Sequence, residues 1–310
     1  MPTRPVALGL NFWSHATTWP ALRDAALAAE GWGYDHLWTA DHLLATIGSP
    51  FQPIFEGWTL TAALAALTRR ARLGVLVSPV TFRHPGLIAK MAVTLDHVSG
   101  GRAVLGLGSG WFGLEHSAHG IPFARPGIRV DQLGVAAGLI RRLMDGDEVS
   151  YHDDYYDLTE LRHAPRPLQA RLPLLIGGGG ERKTLAVVAR HADLWNVAGT
   201  PEEVERKNQI LVEHCRDIGR NEAEIERTVL CKLVIREDVG AARSTWEEMM
   251  AANGAPPDLD LQPILDTPQH VAANLQAYLN LGFRTVIVDC PAPYDLETIE
   301  HLAALRSRLK

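Results

Sequence analysis

Cysteine is scarce in this sequence. Only Cys215, Cys231 and Cys290 occur in 310 residues, far apart in the chain. No pair has the spacing of a zinc site or a redox dithiol, so reduced thiols in a cytoplasmic protein are expected, not a disulfide-stapled secreted one. Long hydrophobic runs are absent too. Gly, Pro or charge interrupts every apolar stretch before the roughly 18–20 residues of a membrane helix, and the N-terminus lacks the apolar block of a signal peptide. No basic block occurs and the formal net charge is −6, which argues against nucleic acid as the main partner. Several catalytic signatures are missing as well. There is no Gly-x-Ser-x-Gly elbow for a serine hydrolase and no His-x-His on the first strand for a barrel metallohydrolase. No lysine is seen to end a strand-like run, which disfavours an aldolase or isomerase.

What is present is ample core, with 46% apolar and 21% charged residues. Eight short, near-continuous apolar runs stand out, at residues 6–10, 36–40, 72–78, 102–109, 173–177, 193–197, 228–235 and 284–289. Parallel strands buried on both faces read this way. Helical periodicity fills most of the gaps, at residues 22–30, 85–98, 132–144, 183–191, 202–218, 269–281 and 296–309. Eight strand–helix units predict an α/β chain folded as one (β/α)8 TIM barrel over residues 1–310. Insertions are expected after strands four and seven, the latter at 237–267 with a short helix at 241–252. A long loop at 145–172 is expected before strand five.

Four clusters carry candidate chemistry. Thr39-Ala40-Asp41-His42 ends strand two, where Asp41 could orient His42 for proton transfer or His42 could face a ligand; a polar loop is the plainer alternative. Leu105-Gly106-Leu107-Gly108-Ser109-Gly110-Trp111 ends strand four. Its glycines suit close backbone approach to a ligand, but Trp111 stands where a dinucleotide fingerprint needs a small residue. Gly177, Gly178, Gly179 and Gly180 follow strand five and lead through Glu181, Arg182 and Lys183 into a helix. Bare N–H groups and two cations there suit a phosphate, and the missing Gly-Lys-Ser/Thr ending excludes a Walker loop. Arg83, in Phe82-Arg83-His84-Pro85, could pair with an anion or lie on the surface.

In order, Ala40–Leu43, Glu56–Thr59, Arg72–Val77, Phe82–Pro85, Ser99–Arg102, Leu105–Trp111 and Ile176–Gly180, followed by Asp193–Asn196, resemble the luciferase-like monooxygenase superfamily. The resemblance is to its deazaflavin (coenzyme F-420)-dependent oxidoreductase branch, strong to about Val197 and weak beyond. It implies a non-proline cis peptide at or near Leu76–Val77, with Leu76, Val77 and Ser78 beside the cofactor ring. It also implies that His42 contacts the ring, that Ser109, Gly110 and Trp111 line the cofactor and substrate side, and that Gly177–Gly180 hold the phosphate. His42, Asp41 and Trp111 then surround the reacting centre, while Arg83 and Lys183 meet the acidic cofactor tail.

The sugar-phosphate branch carries a Trp four residues past the active-site His, where this chain has Thr46, and a Glu where it has Trp111. Trp13, His15 and Trp111 imply instead an aromatic pocket for a small alcohol, ketone or enone. The function implied is hydride transfer between coenzyme F-420 and such a substrate. The alternatives are a two-component FMN monooxygenase using reduced FMN and oxygen, and a non-catalytic flavin-binding barrel. A homodimer through the helices after strands two and three is a further implication.

Overall fold

The computed structural model of the chain describes residues 6–309; residues 1–5, part of the segment read above for a signal sequence, and residue 310 lie outside the described residues. The strands are β1 (Ala7–Phe12), β2 (His36–Thr39), β3 (Arg72–Val75, continued by Ser78–Pro79), β4 (Leu105–Gly108), β5 (Leu174–Gly177), β6 (Leu194–Val197), β7 (Glu226–Cys231) and β8 (Thr285–Cys290). All pair in parallel in the order 3-2-1-8-7-6-5-4, and Ser78–Pro79 pairs with β4, which closes the expected barrel. Between the two segments of β3 lies Leu76–Val77, whose peptide bond is cis, at the position the resemblance implied.

The helices are α1 (Trp19–Gly31), α2 (Gly57–Leu67), α3 (Pro85–Ser99), α4 (Gly113–Ala118), α5 (Pro126–Asp145), α6 (Thr184–His191), α7 (Pro201–Asp217), α8 (Val239–Ala252), α9 (Pro268–Asn280) and α10 (Leu296–Leu305). Local sequence sets their ends. In α3 the His84 side chain accepts from Gly86 N–H, Pro85 occupies the first turn, and Gly100 closes the helix at φ 68°, a conformation glycine adopts without a Cβ clash. A capping box between Thr200 and Glu203 starts α7.

Three features depart from the sequence reading. Helices α2 and α4 were not delimited by periodicity. The stretch expected as a loop before β5 holds an antiparallel hairpin, Val149–His152 with Asp157–Leu161, turned by Asp153 Oδ1, which accepts from the N–H groups of Tyr155 and Tyr156. The apolar run 228–235 is not one strand. It breaks at Lys232, and Leu233–Ile235 leaves the barrel to pair with Ile264–Asp266 around α8. Lys232 therefore stands directly after the carboxyl end of β7, where the sequence reading expected no lysine at a strand end.

Side chains alternate between two cores. Trp38, Leu76, Val104, Leu175, Leu194 and Ile287 fill the barrel; Leu8, Leu10, Phe12, Leu37, Leu105 and Leu107 pack outward in the strand–helix layer. His36 points inward at the lower end and stacks on Trp38. Burial, and secondarily the charge of Arg72, lowers its pKa from 6.5 to about 3. Between those values the unfolded chain binds a proton that the folded chain refuses, so stability falls as pH drops through that window. His36→Phe is expected to flatten this fall, read as a smaller change in urea midpoint between neutral pH and pH about 4. An unchanged slope would show that His36 contributes nothing to acid sensitivity.

Candidate active site

Strand alternation separates Asp41 from His42. With Trp38 inside the barrel, Ala40 and His42 continue on the inner side and line the cavity, while Asp41 turns toward the helices. Asp41 is almost fully buried and accepts from the Ser78 hydroxyl and from both terminal nitrogens of Arg83, at 2.5 and 3.1 Å. Arg83 also donates to Glu56 at 2.8 Å, and Trp58 Nε1 donates to Ser78 at 2.8 Å. This buried brace ties β2 to β3 and to the start of α2. Asp41 therefore does not orient His42, as the sequence had suggested, and the polar groups of Ser78 and Arg83 are taken up inside the protein.

The carboxylate on His42 is Glu115, from α4. Its oxygens lie 3.1 and 3.2 Å from His42 Nδ1, and Oε2 accepts from Leu43 N–H at 3.0 Å. With the Glu115 carboxylate as acceptor at Nδ1, Nε2 is the ring nitrogen left for a ligand. No partner for Nε2 is found among the described residues. Sequence reasoning missed Glu115 because 73 positions separate it from His42 and no local pattern marks it. His116, its neighbour, is bonded to Thr81 and to the Phe112 carbonyl.

His42 stands at the wall of a cavity of about 320 Å³ at the carboxyl ends of the strands, where barrel active sites lie. Trp13, Ile47, Ile54, Leu76, Leu230, Leu261 and Trp111 supply its apolar lining, and Thr46 also faces it. Trp111 is 64% exposed and meets the His42 ring edge-on, with centroids 5.6 Å apart. His15 stacks on Trp13 at 5.2 Å. Burial, and then the proximity of His42, lowers the His15 pKa to about 4, so its ring is uncharged near neutrality.

The glycines of β4 and β5 have a structural duty the sequence did not reveal. A Cβ on Gly108 would stand 2.6 Å from Val77 Cγ2, and one on Gly177 2.9 Å from Val77 Cγ1. They make room for Val77 at the cis bulge. Ser109 and Gly110 follow, their carbonyls accepting from Arg129. Beyond Gly177 the chain turns through Gly178 at φ 130°, and the Gly178 N–H and carbonyl are taken by Asn196 and Trp195. The N–H groups of Gly179 and Gly180 have no partner among the described residues. Arg182 is exposed and unpaired there as well, whereas Lys183 is bound to Asp131 at 2.8 Å. A second unpaired cation, Lys207 of α7, lies beside Gly179, with its Nζ 3.2 Å from where a Cβ would stand. Two bare N–H groups and two cations fit a phosphate. Lys207 carried no sequence signal, being one charge on a charged helix.

Among the described residues no group of His, Cys, Asp and Glu side chains is arranged for a metal ion, and no helix is long and apolar enough to cross a membrane.

The chain is 26% identical over 320 residues to an F420-dependent glucose-6-phosphate dehydrogenase of Kineococcus radiotolerans, covering 93% of this chain and 92% of that one. It is 26% identical over 299 residues to an FMNH(2)-dependent dimethylsulfone monooxygenase of Pseudomonas putida, covering 92% and 79%. An uncharacterized protein of Mycobacterium tuberculosis is 35% identical over 156 residues, and the match spans 50% of this chain and about half (52%) of that relative's length. The fold superposes on an F420-dependent secondary alcohol dehydrogenase in complex with an F420-acetone adduct, with TM-score 0.85, 16% identity and coverage of 99% and 100%. The family model for luciferase-like monooxygenases matches residues 9–280, and the chain belongs to that family.

Proposed function

We propose that this protein is an oxidoreductase that moves a hydride between a deazaflavin, coenzyme F-420, and a small organic substrate bearing an alcohol, ketone or enone. The observation that carries this reading is His42, fixed by Glu115 through Nδ1 and free at Nε2, on the wall of an apolar cavity. Gly179, Gly180, Arg182 and Lys207 would hold the cofactor phosphate, with Leu76 and Val77 beside its ring. The bound cofactor would supply the hydride chemistry; the chain would supply position, a largely apolar cavity wall and a proton site at His42 Nε2. A sugar phosphate suits the cavity poorly, because its one lysine, Lys232, is ion-paired with Asp289.

A second reading, an FMN monooxygenase, has support from the similarity over 92% of this chain to the Pseudomonas putida enzyme. Titration of purified protein with F-420 and with FMN separates the two. F-420 is expected to bind at least about tenfold more tightly, and Lys207→Ala to weaken it about tenfold while leaving the phosphate-free deazariboflavin unaffected. Tight FMN binding without F-420 binding, together with substrate-dependent oxygen uptake from reduced FMN, would reject the deazaflavin reading.

A further inference from the structure

One wall of the cavity carries a polar set that neither the phosphate cradle nor the proton site uses. Register explains how it forms. Asn11 of β1 pairs with Asp289 of β8, and Cys231 of β7 pairs with Val288, so Lys232 comes level with Asp289. The Lys232 ammonium stands 3.4 Å from Asp289 Oδ2, and Asn11 Nδ2 donates to Asp289 Oδ1 at 2.7 Å. Asp289 and Asn11 are 6% and 5% exposed.

Among the described residues this set is incomplete. Lys232 has three N–H donors and a single partner. Asn11 Oδ1 and His15 Nε2 are enclosed and have no hydrogen-bond partner among the described residues. Residues 11, 15, 232 and 289 all line the same cavity. Buried polar groups are normally satisfied, and an unsatisfied cluster in a cavity wall calls for a ligand. The charges here are balanced. Asp289 offsets Lys232, and Asn11 and His15 carry none. An anionic ligand at Lys232 would lose its hydration while facing Asp289 at close range.

We propose that Lys232 and His15 Nε2 form a donor subsite for a carbonyl or hydroxyl oxygen of an uncharged substrate, that Asn11 Oδ1 accepts from the O–H where that substrate is an alcohol, and that Asp289 sets its charge preference by excluding carboxylates and phosphates. Lys232 is the charged donor, Asp289 the positioning and specificity residue, and the apolar wall from Ile47 to Leu261 takes the hydrocarbon body. This rests on the reading of the strand-end cavity as the substrate site.

The test is ligand binding to the purified protein, followed by tryptophan fluorescence and ligand-observed NMR near neutral pH, without added cofactor. Cyclohexanone, methylenecyclohexane and cyclohexanecarboxylate are the probes. Cyclohexanone is expected to bind about tenfold or more tightly than either of the others. That comparison in the unmodified protein needs no variant. Lys232→Met should erase the advantage of the ketone over the alkene. Asp289→Asn keeps an acceptor for Asn11 but leaves the lysine charge unbalanced, and should raise carboxylate affinity about tenfold. The subsite is overturned if no probe binds, if the ketone has no advantage, if that advantage survives in folded Lys232→Met, or if folded Asp289→Asn still excludes the carboxylate. Flavin and deazaflavin titrations run in parallel keep the two proposals separate. Failure of both cofactors with ketone selectivity intact defeats the proposed function alone.

Discussion

Asp41→Ala is expected to lower the unfolding free energy by about 3–5 kcal/mol, the range for removing one partner of a buried, hydrogen-bonded ion pair. Asp41 receives Ser78 and both arms of Arg83 and is almost entirely buried. Removing its carboxylate leaves Arg83, whose side chain is 14% exposed, with Glu56 as its remaining carboxylate partner. The Ser78 hydroxyl also loses its acceptor. Urea unfolding of the single variant checks this. An Asp41→Leu/Arg83→Leu double variant, which removes both charges, should recover much of the loss. If Asp41→Ala stays within about 1 kcal/mol of the parent while turnover collapses, the brace is not structural and Asp41 returns to the proton chemistry first read for it.

For His42 the expectation is the reverse, a large effect on turnover with little on stability. His42→Gln should reduce turnover about 10²–10⁴-fold, the contribution typical of a positioned acid or base. Cofactor affinity should change far less. Glu115→Gln keeps the shape of the side chain but withdraws the charge behind the imidazole, so a smaller loss of about tenfold is expected, falling on kcat more than on KM. Steady-state kinetics with the cofactor identified by titration decides the matter. A His42→Gln variant that retains more than about half of its turnover would remove His42 from the chemistry.

The two expectations bear on neighbours in sequence whose roles differ because of strand geometry. Asp41-His42 reads in sequence as an orienting pair. In the barrel, period-two alternation sends one residue out to the helices and the other in to the cavity. The partner His42 does have, Glu115, sits on a six-residue helix after β4, and no local pattern joins the two.

Strand number, parallel pairing and the carboxyl-end location of the site were legible in the alternation of apolar runs with helical segments, because burial on both faces leaves a composition signal. The cis bond at Leu76–Val77 was implied through the family resemblance. The glycine-rich stretches were visible, but two of their glycines were read for the wrong neighbour. Gly108 and Gly177 accommodate Val77, and only the bulge in β3 brings that side chain between them.

By itself, then, the sequence determined the barrel, the end of it that works, and the local caps and turns. These depend on residues within a few positions of one another, or on periodicity, both of which a linear chain displays. Tertiary structure decided which charge meets which. It paired Arg83 with the buried Asp41 and Lys183 with Asp131 at the surface, placed Lys207 beside Gly179, gave His42 its glutamate, and set Lys232, Asp289 and Asn11 in one layer at the ends of three strands. Such pairings follow strand register and barrel closure, which join residues up to 278 positions apart. An ion pair stabilises according to distance and burial, and neither is a property of the linear chain.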